Sequence, residues 1–124
     1  MMFSALPLSY RQRYEELSQA LGHLCERVKS ANPEELSAEE ALKQVQQVYQ
    51  DRIVPLSCEG LDPAIAPRWQ SMQTEINRAL RLLHSDLIFL QASRQAANLY
   101  KRQQACLERI EQLLGYCQRL AVQD

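Results

Sequence analysis

The chain is expected to fold as an all-α protein, an antiparallel four-helix bundle with a long C-terminal helical hairpin, in one domain spanning residues 1–124. Three features point there. Leu, Ala, Gln, Glu and Arg dominate, Gly is limited to 3 residues and β-branched side chains are sparse, a balance that favours helix over strand. Apolar residues recur at alternating spacings of three and four through long segments, which is the period of a one-sided helix. Breaks containing Pro, Gly or Asp separate most of these segments. A domain of this length buries roughly two-thirds of its unfolded surface, so a hydrophobic core suffices without covalent staples.

The first helix carries Tyr10, Tyr14, Leu17, Leu21, Leu24 and Val28 on one stripe, and Asn32 with Pro33 is expected to end it. Ser37 and Glu40 form an S-x-x-E capping box for the second helix, whose buried line is Leu42, Val45 and Tyr49 and which stops before Pro55. From Pro55 to Asp62 the chain holds Pro, Ser and Gly and reads as an irregular connection. Asp62 followed by Pro63 signals the third helix: Asp accepts unpaired backbone N–H groups, and Pro at the first helical position sacrifices none.

That helix carries Ile65, Trp69, Met72, Ile76, Leu80, Leu83, Leu87 and Leu90. Prolonging its stripe would bring Arg94, Ala97 and Lys101 into the core, so a short turn is expected near Ser93 to Ala97. The fourth helix then follows its own register through Leu99, Cys106, Ile110, Leu113, Cys117 and Leu120. Gly115 inside it costs about 1 kcal/mol relative to Ala, tolerable where a neighbouring backbone packs close.

Net charge at pH 7 is −1, which argues against bulk capture of nucleic acid through many phosphate contacts. The charge is uneven: 6 basic and 10 acidic residues up to Asp62, net −4, against 8 basic and 5 acidic from Pro63, net +3. Such polarity suits head-to-tail pairing or two differently solvated faces. The start, MMFSALPLSYRQRYEEL, lacks a basic segment followed by a long apolar one, and no apolar run reaches the roughly 20 residues of a bilayer span. A cytoplasmic protein is expected. Cys106 and Cys117 lie 11 residues apart on one helix, about 16 Å and too far to bridge, so reduced core thiols are expected.

His84 has no ligating side chain three or four residues on and His23 has only Glu26, too few for a metal site, so none is expected. The chain has no G-x-S-x-G, S-x-x-K or Gly-rich phosphate loop, and no Glu-x-x-His pair for a di-iron bundle. Enzymatic activity and a bound cofactor are therefore not expected. Cys25 and Cys58 are candidates for redox sensing or for inert thiols, although Glu59 beside Cys58 would raise its pKa. Tyr10, Tyr14, Trp69 and Met72 either line a cavity or, more simply, pack the core.

On the third helix, Leu82 and Phe89 fall outside the main stripe, one heptad apart, on a flank shared with Ala79 and Asp86. This flank is either buried against a third helix or a partner surface in which Leu82 and Phe89 anchor and Asp86 sets register. Arg102, Arg109 and Tyr116 repeat at the same heptad spacing on the fourth helix, and Arg and Tyr suit interfaces through wide contact area and hydrogen bonding. Arg109 has a second option, pairing with Asp86 within the hairpin.

The run RWQSMQTEINRALRLLHSDLIFLQASR, from Arg68 to Arg94, and the ending RIEQLLGYC, from Arg109 to Cys117, resemble the cyanobacterial heterocyst frequency control proteins of the PatD family. The likeness extends to VQQVYQDRIVPL and DPAIAPRWQ and thus covers most of the chain from Val45, with a weaker echo in YRQRYEEL near the start. The loop from Ser57 to Gly60 and the long first helix depart from the pattern. The resemblance implies a cytoplasmic, non-enzymatic regulator of heterocyst frequency and cell division that contacts the division protein FtsZ. The partner-binding residues expected are Leu82, Asp86, Phe89, Arg94, Arg102, Arg109 and Tyr116. The alternatives are a homodimeric structural bundle, with the second stripe as a self-interface, and, less favoured for want of ligands, a ligand-binding bundle.

Overall fold

The computed structural model describes residues 6–30, 35–93 and 95–121. Among them are four α-helices, α1 (Leu8–Lys29), α2 (Glu35–Val48), α3 (Ala66–Ala92) and α4 (Ala96–Ala121), with a π turn over Tyr49–Ile53. They form the expected helical bundle. α4 lies along α1 on one side and α3 on the other, while α2 covers α1 and touches α3 over a narrower seam. Where α3 meets α4, contacts run in opposite chain directions. Gln103, early in α4, donates to the carbonyl of Val28 at the end of α1 (2.7 Å), and Asp86 meets Arg109 while Phe89, farther along α3, meets Arg102.

The core is the set of stripes that periodicity defined. Tyr14, Leu17, Leu21, Leu24 and Val28 of α1 are buried against Ile76, Leu83 and Leu87 of α3 and Cys106, Ile110, Leu113, Cys117 and Leu120 of α4 in one cluster. Tyr10 and Met72, expected on those stripes, are only half-buried at its margin. Trp69 packs its ring against Tyr10, with centroids 5.9 Å apart, and its indole N–H donates to the Tyr14 hydroxyl at 2.9 Å. That hydroxyl in turn donates to Gln73 Oε1. A buried chain of donors and acceptors thus ties α1 to α3.

Several local expectations are corrected. α2 begins at Glu35, so Ser37 lies within its first turn and does not cap it. Asn32 and Pro33 fall outside the described residues, and α1 ends at Lys29. Asp62 accepts the N–H of Ala64 (2.9 Å), as expected of a start signal, but Pro63 to Ile65 form a turn and α3 begins at Ala66 with Pro67 in its first turn. α3 ends at Ala92 and α4 begins at Ala96, close to the expected turn.

The second helical segment ends before Pro55 as expected, but its last turn is a π turn. Ala41, Val45, Tyr49 and Ile53 recur every four residues, and in an α-helix each such step overshoots a full turn by about 40°. Widening the last turn absorbs that drift and carries Ile53 into the core. Val54 N–H then reaches the Tyr49 carbonyl at 2.9 Å, and Pro55 follows with no N–H to continue the helix. Arg13 donates to the Arg52 carbonyl (2.9 Å), and Arg52 grips the Glu16 carboxylate with two nitrogens, each at 3.0 Å, fastening the turn to α1.

Leu99 lies on the α4 stripe yet is 39% exposed. The Gln103–Val28 bond marks where α1 stops, so among the described residues the first turn of α4 has no α1 side chain opposite it. Gly115 likewise has no close neighbour: a Cβ there would meet nothing within 4 Å, so close backbone packing does not account for it.

Gly115→Ala raises the unfolding free energy by about 1 kcal/mol, because helix propensity improves without a clash, and urea denaturation reads the gain directly. Tyr14→Phe removes the acceptor of the buried Trp69 N–H and destabilises the fold by about 1–3 kcal/mol; a neutral result in the same assay would show that the relay contributes nothing.

Candidate functional site

The flank that sequence left open between burial and exposure divides in two. Ala79 is buried, whereas Leu82 is 37% and Phe89 51% exposed. The third helix that would have covered them is absent among the described residues, because α2 packs on the other side of α3, where Gln46 bonds His84 and Asn77 donates to Tyr49. Leu82 and Phe89 therefore stand on the outer seam between α3 and α4.

The fourth helix meets them with the residues at heptad spacing. The Arg102 guanidinium lies 4.8 Å from the centre of the Phe89 ring, a cation–π geometry. Seven residues on, Arg109 Nε donates to Asp86 Oδ2 at 3.0 Å. The two side chains are 29% and 17% exposed, so water screens the pair only in part. Asp86 is thereby engaged inside the hairpin, one of the two arrangements open to Arg109. At the next position Tyr116 is half-buried, accepts from Gln112 Nε2 (3.0 Å), and carries Arg119 5.4 Å above its ring. Of the seven expected partner-binding residues, Leu82, Asp86, Phe89, Arg102, Arg109 and Tyr116 share this face; Arg94 lies outside the described residues.

The seam is indented on both sides of the Asp86–Arg109 bridge. Toward the hairpin turn a hollow of about 410 Å³ is bordered by Phe89, Asn98 and Arg102. Beyond the bridge a smaller one of about 170 Å³ is bordered by Arg78, Leu82 and Arg109. The helix wheel located the residues but not the hollows, which exist only because two helices meet at this angle.

A second recess, unexpected from sequence, follows from the π turn. Between α2 and α3 a groove of about 600 Å³ is lined by Gln46, Tyr49, Asn77, Arg81 and His84. It offers amide, phenol and imidazole hydrogen bonds. Among the described residues no three His, Cys, Asp or Glu side chains gather as a metal site, and no helix is long and apolar enough to cross a membrane.

All four cysteines are free. Burial pushes the Cys106 thiol up to about 12, with Asp86 adding to the rise and Arg109 opposing it, and burial alone does the same to Cys117. Both are protonated and unreactive at neutral pH. Cys58 is half-buried and accepts from Gln70 Nε2 at 3.1 Å.

No family model matches the chain, and no match to it emerges among curated proteins or solved structures.

The raised thiol values carry a pH dependence. Cys106 and Cys117 ionise near 9.0 when unfolded and near 12 when folded, so between these limits the unfolded state holds fewer protons and stability falls as pH rises. Below 9.0 the effect is absent. Urea midpoints measured on the two sides of this window should fall toward alkali, and Cys106→Ala with Cys117→Ala should flatten the slope.

Proposed function

We propose that this chain is a non-enzymatic, cytoplasmic regulator of the PatD kind, which sets heterocyst frequency and cell division in cyanobacteria through protein–protein contact, with FtsZ as its partner. The reading rests on the resemblance of Arg68 to Arg94 and Arg109 to Cys117 to that family. One structural observation carries it furthest. Phe89, within the resembling run, is a large aromatic side chain held half-exposed under Arg102, and a solvent-facing aromatic beside arginine is the composition of an interface anchor.

The surrounding architecture suits such a role. Leu82 and Phe89 project from α3, whose opposite face is locked in the core, so a partner meets a surface that is already ordered. Little side-chain freedom is lost on docking where Arg102 is stacked and Arg109 bridged beforehand.

Co-sedimentation with polymerised FtsZ from a filamentous cyanobacterium tests the proposal. Wild-type chain is expected in the pellet, and the Leu82→Ala, Phe89→Ala double variant should bind at least about tenfold more weakly while retaining its helical circular dichroism. Wild-type chain left in the supernatant would sink the FtsZ assignment, and a double variant that pellets equally would remove these residues from the interface.

A further inference from the structure

We propose that the outer α3–α4 seam is a docking site for an acidic amphipathic helix, which seats two apolar side chains a heptad apart over Leu82 and Phe89 and places carboxylates on Arg78 and Arg102. The inference rests on the protein-interaction reading above and specifies the partner's chemistry.

Geometry selects a helix. Two hollows flank the Asp86–Arg109 bridge, one beside Leu82 and the other beside Phe89. These residues are seven positions apart on α3, about 10 Å along its axis, which is the repeat at which a third helix presents successive apolar side chains. The seam offers no strand edge for an extended peptide, since its backbone hydrogen bonds are made within α3 and α4. A docking helix laid along it would place one apolar side chain in each hollow and cross the salt bridge between them.

Charge selects the sign. Asp86 and Arg109 neutralise each other, and outside that pair the face presents Arg78, Arg102 and Arg119 against Glu75. From Leu87 to Leu107 the chain has no acidic residue, while Arg94, Lys101 and Arg102 are basic. A guanidinium stacked on an aromatic ring keeps its in-plane N–H groups free to point at a carboxylate, so the Arg102–Phe89 stack joins an apolar contact to an anion contact. A second copy of this chain is a poorer occupant. The acidic half of the chain forms α1 and α2, but their apolar stripes, Leu17 to Val28 and Ala38 to Val45, are buried in the bundle.

The test uses two fluorescent synthetic peptides of about 21 residues, three heptads, with leucines seven apart flanked by glutamates in one and by lysines in the other. Polarisation should show the glutamate peptide binding the full chain and weakening as salt rises, with the lysine peptide at least about tenfold weaker. Phe89→Ala and Arg102→Glu should each lower the glutamate peptide's affinity by about tenfold or more. Arg102 is exposed, so its variant keeps the test valid even where Phe89→Ala perturbs folding. Equal binding of both peptides, or no effect of Arg102→Glu, overturns the proposal. So does a dimer in light scattering that Arg102→Glu dissociates, which would give the face to a second copy, or binding to vesicles of anionic phospholipid with neither peptide bound. Because the probe is synthetic, the two readings fail separately: peptide binding without FtsZ binding refutes the division partner alone, and FtsZ binding without peptide binding refutes the acidic helix alone.

Discussion

The Tyr14 hydroxyl sits between two partners inside the bundle, accepting from Trp69 and donating to Gln73. Buried polar atoms without partners cost about 1–3 kcal/mol each, so this relay admits few relative positions of α1 and α3. Hydrophobic stripes alone would tolerate a slide of one helix against the other at modest cost, because leucine can exchange neighbours. A hydroxyl, an indole N–H and an amide cannot. Since burial drives the Tyr14 phenol pKa upward, the group remains a neutral donor across the physiological range. The bond from Tyr10 to the Ser57 carbonyl, 2.8 Å, extends the same tie to the connection before α3.

Setting the place of α3 against α1 also aims its outer flank. α4 lies between them, joined to α1 through Gln103 and Val28 and to α3 through the Asp86–Arg109 bridge. Leu82 and Phe89 are turned away from this closed arrangement because the inner positions are filled by Leu80, Leu83, Leu87 and Leu90. The outer face combines partial order with partial exposure: its arginines are held by a ring, a carboxylate and a second ring, yet none is withdrawn into the core. That condition suits recognition better than stability, since part-exposed ion pairs contribute little to folding.

Residues at regular spacing were legible, and departures from the α-helical period were harder to see. The stripes of α1 and α3 and the break near Ser93 follow from apolar phase. The π turn was legible in principle, in the four-residue repeat from Ala41 to Ile53, but a period slightly too long for an α-helix was easily absorbed as scatter. Ser37 resembled a cap because S-x-x-E is a local pattern, whereas helix starts depend on where the preceding chain arrives. Leu99 failed for a related reason: phase places a side chain on a face and says nothing about whether a neighbour reaches that far.

The order of amino acids alone determined the helical class, most of the core and the segregation of Leu82, Phe89, Arg102 and Arg109 from it, because the 3.6-residue period is a property of the single chain. Whether that segregated flank faced water or another helix was decided only in three dimensions. Ala79 and Phe89 share a flank in sequence and differ in fate, one under α4 and the other at the rim of the hairpin. The same holds for Asp86, whose partner Arg109 lies 23 residues away and was only one of two options until the hairpin closed. Burial and pairing belong to distances between helices, and those distances come from packing that no single helix encodes.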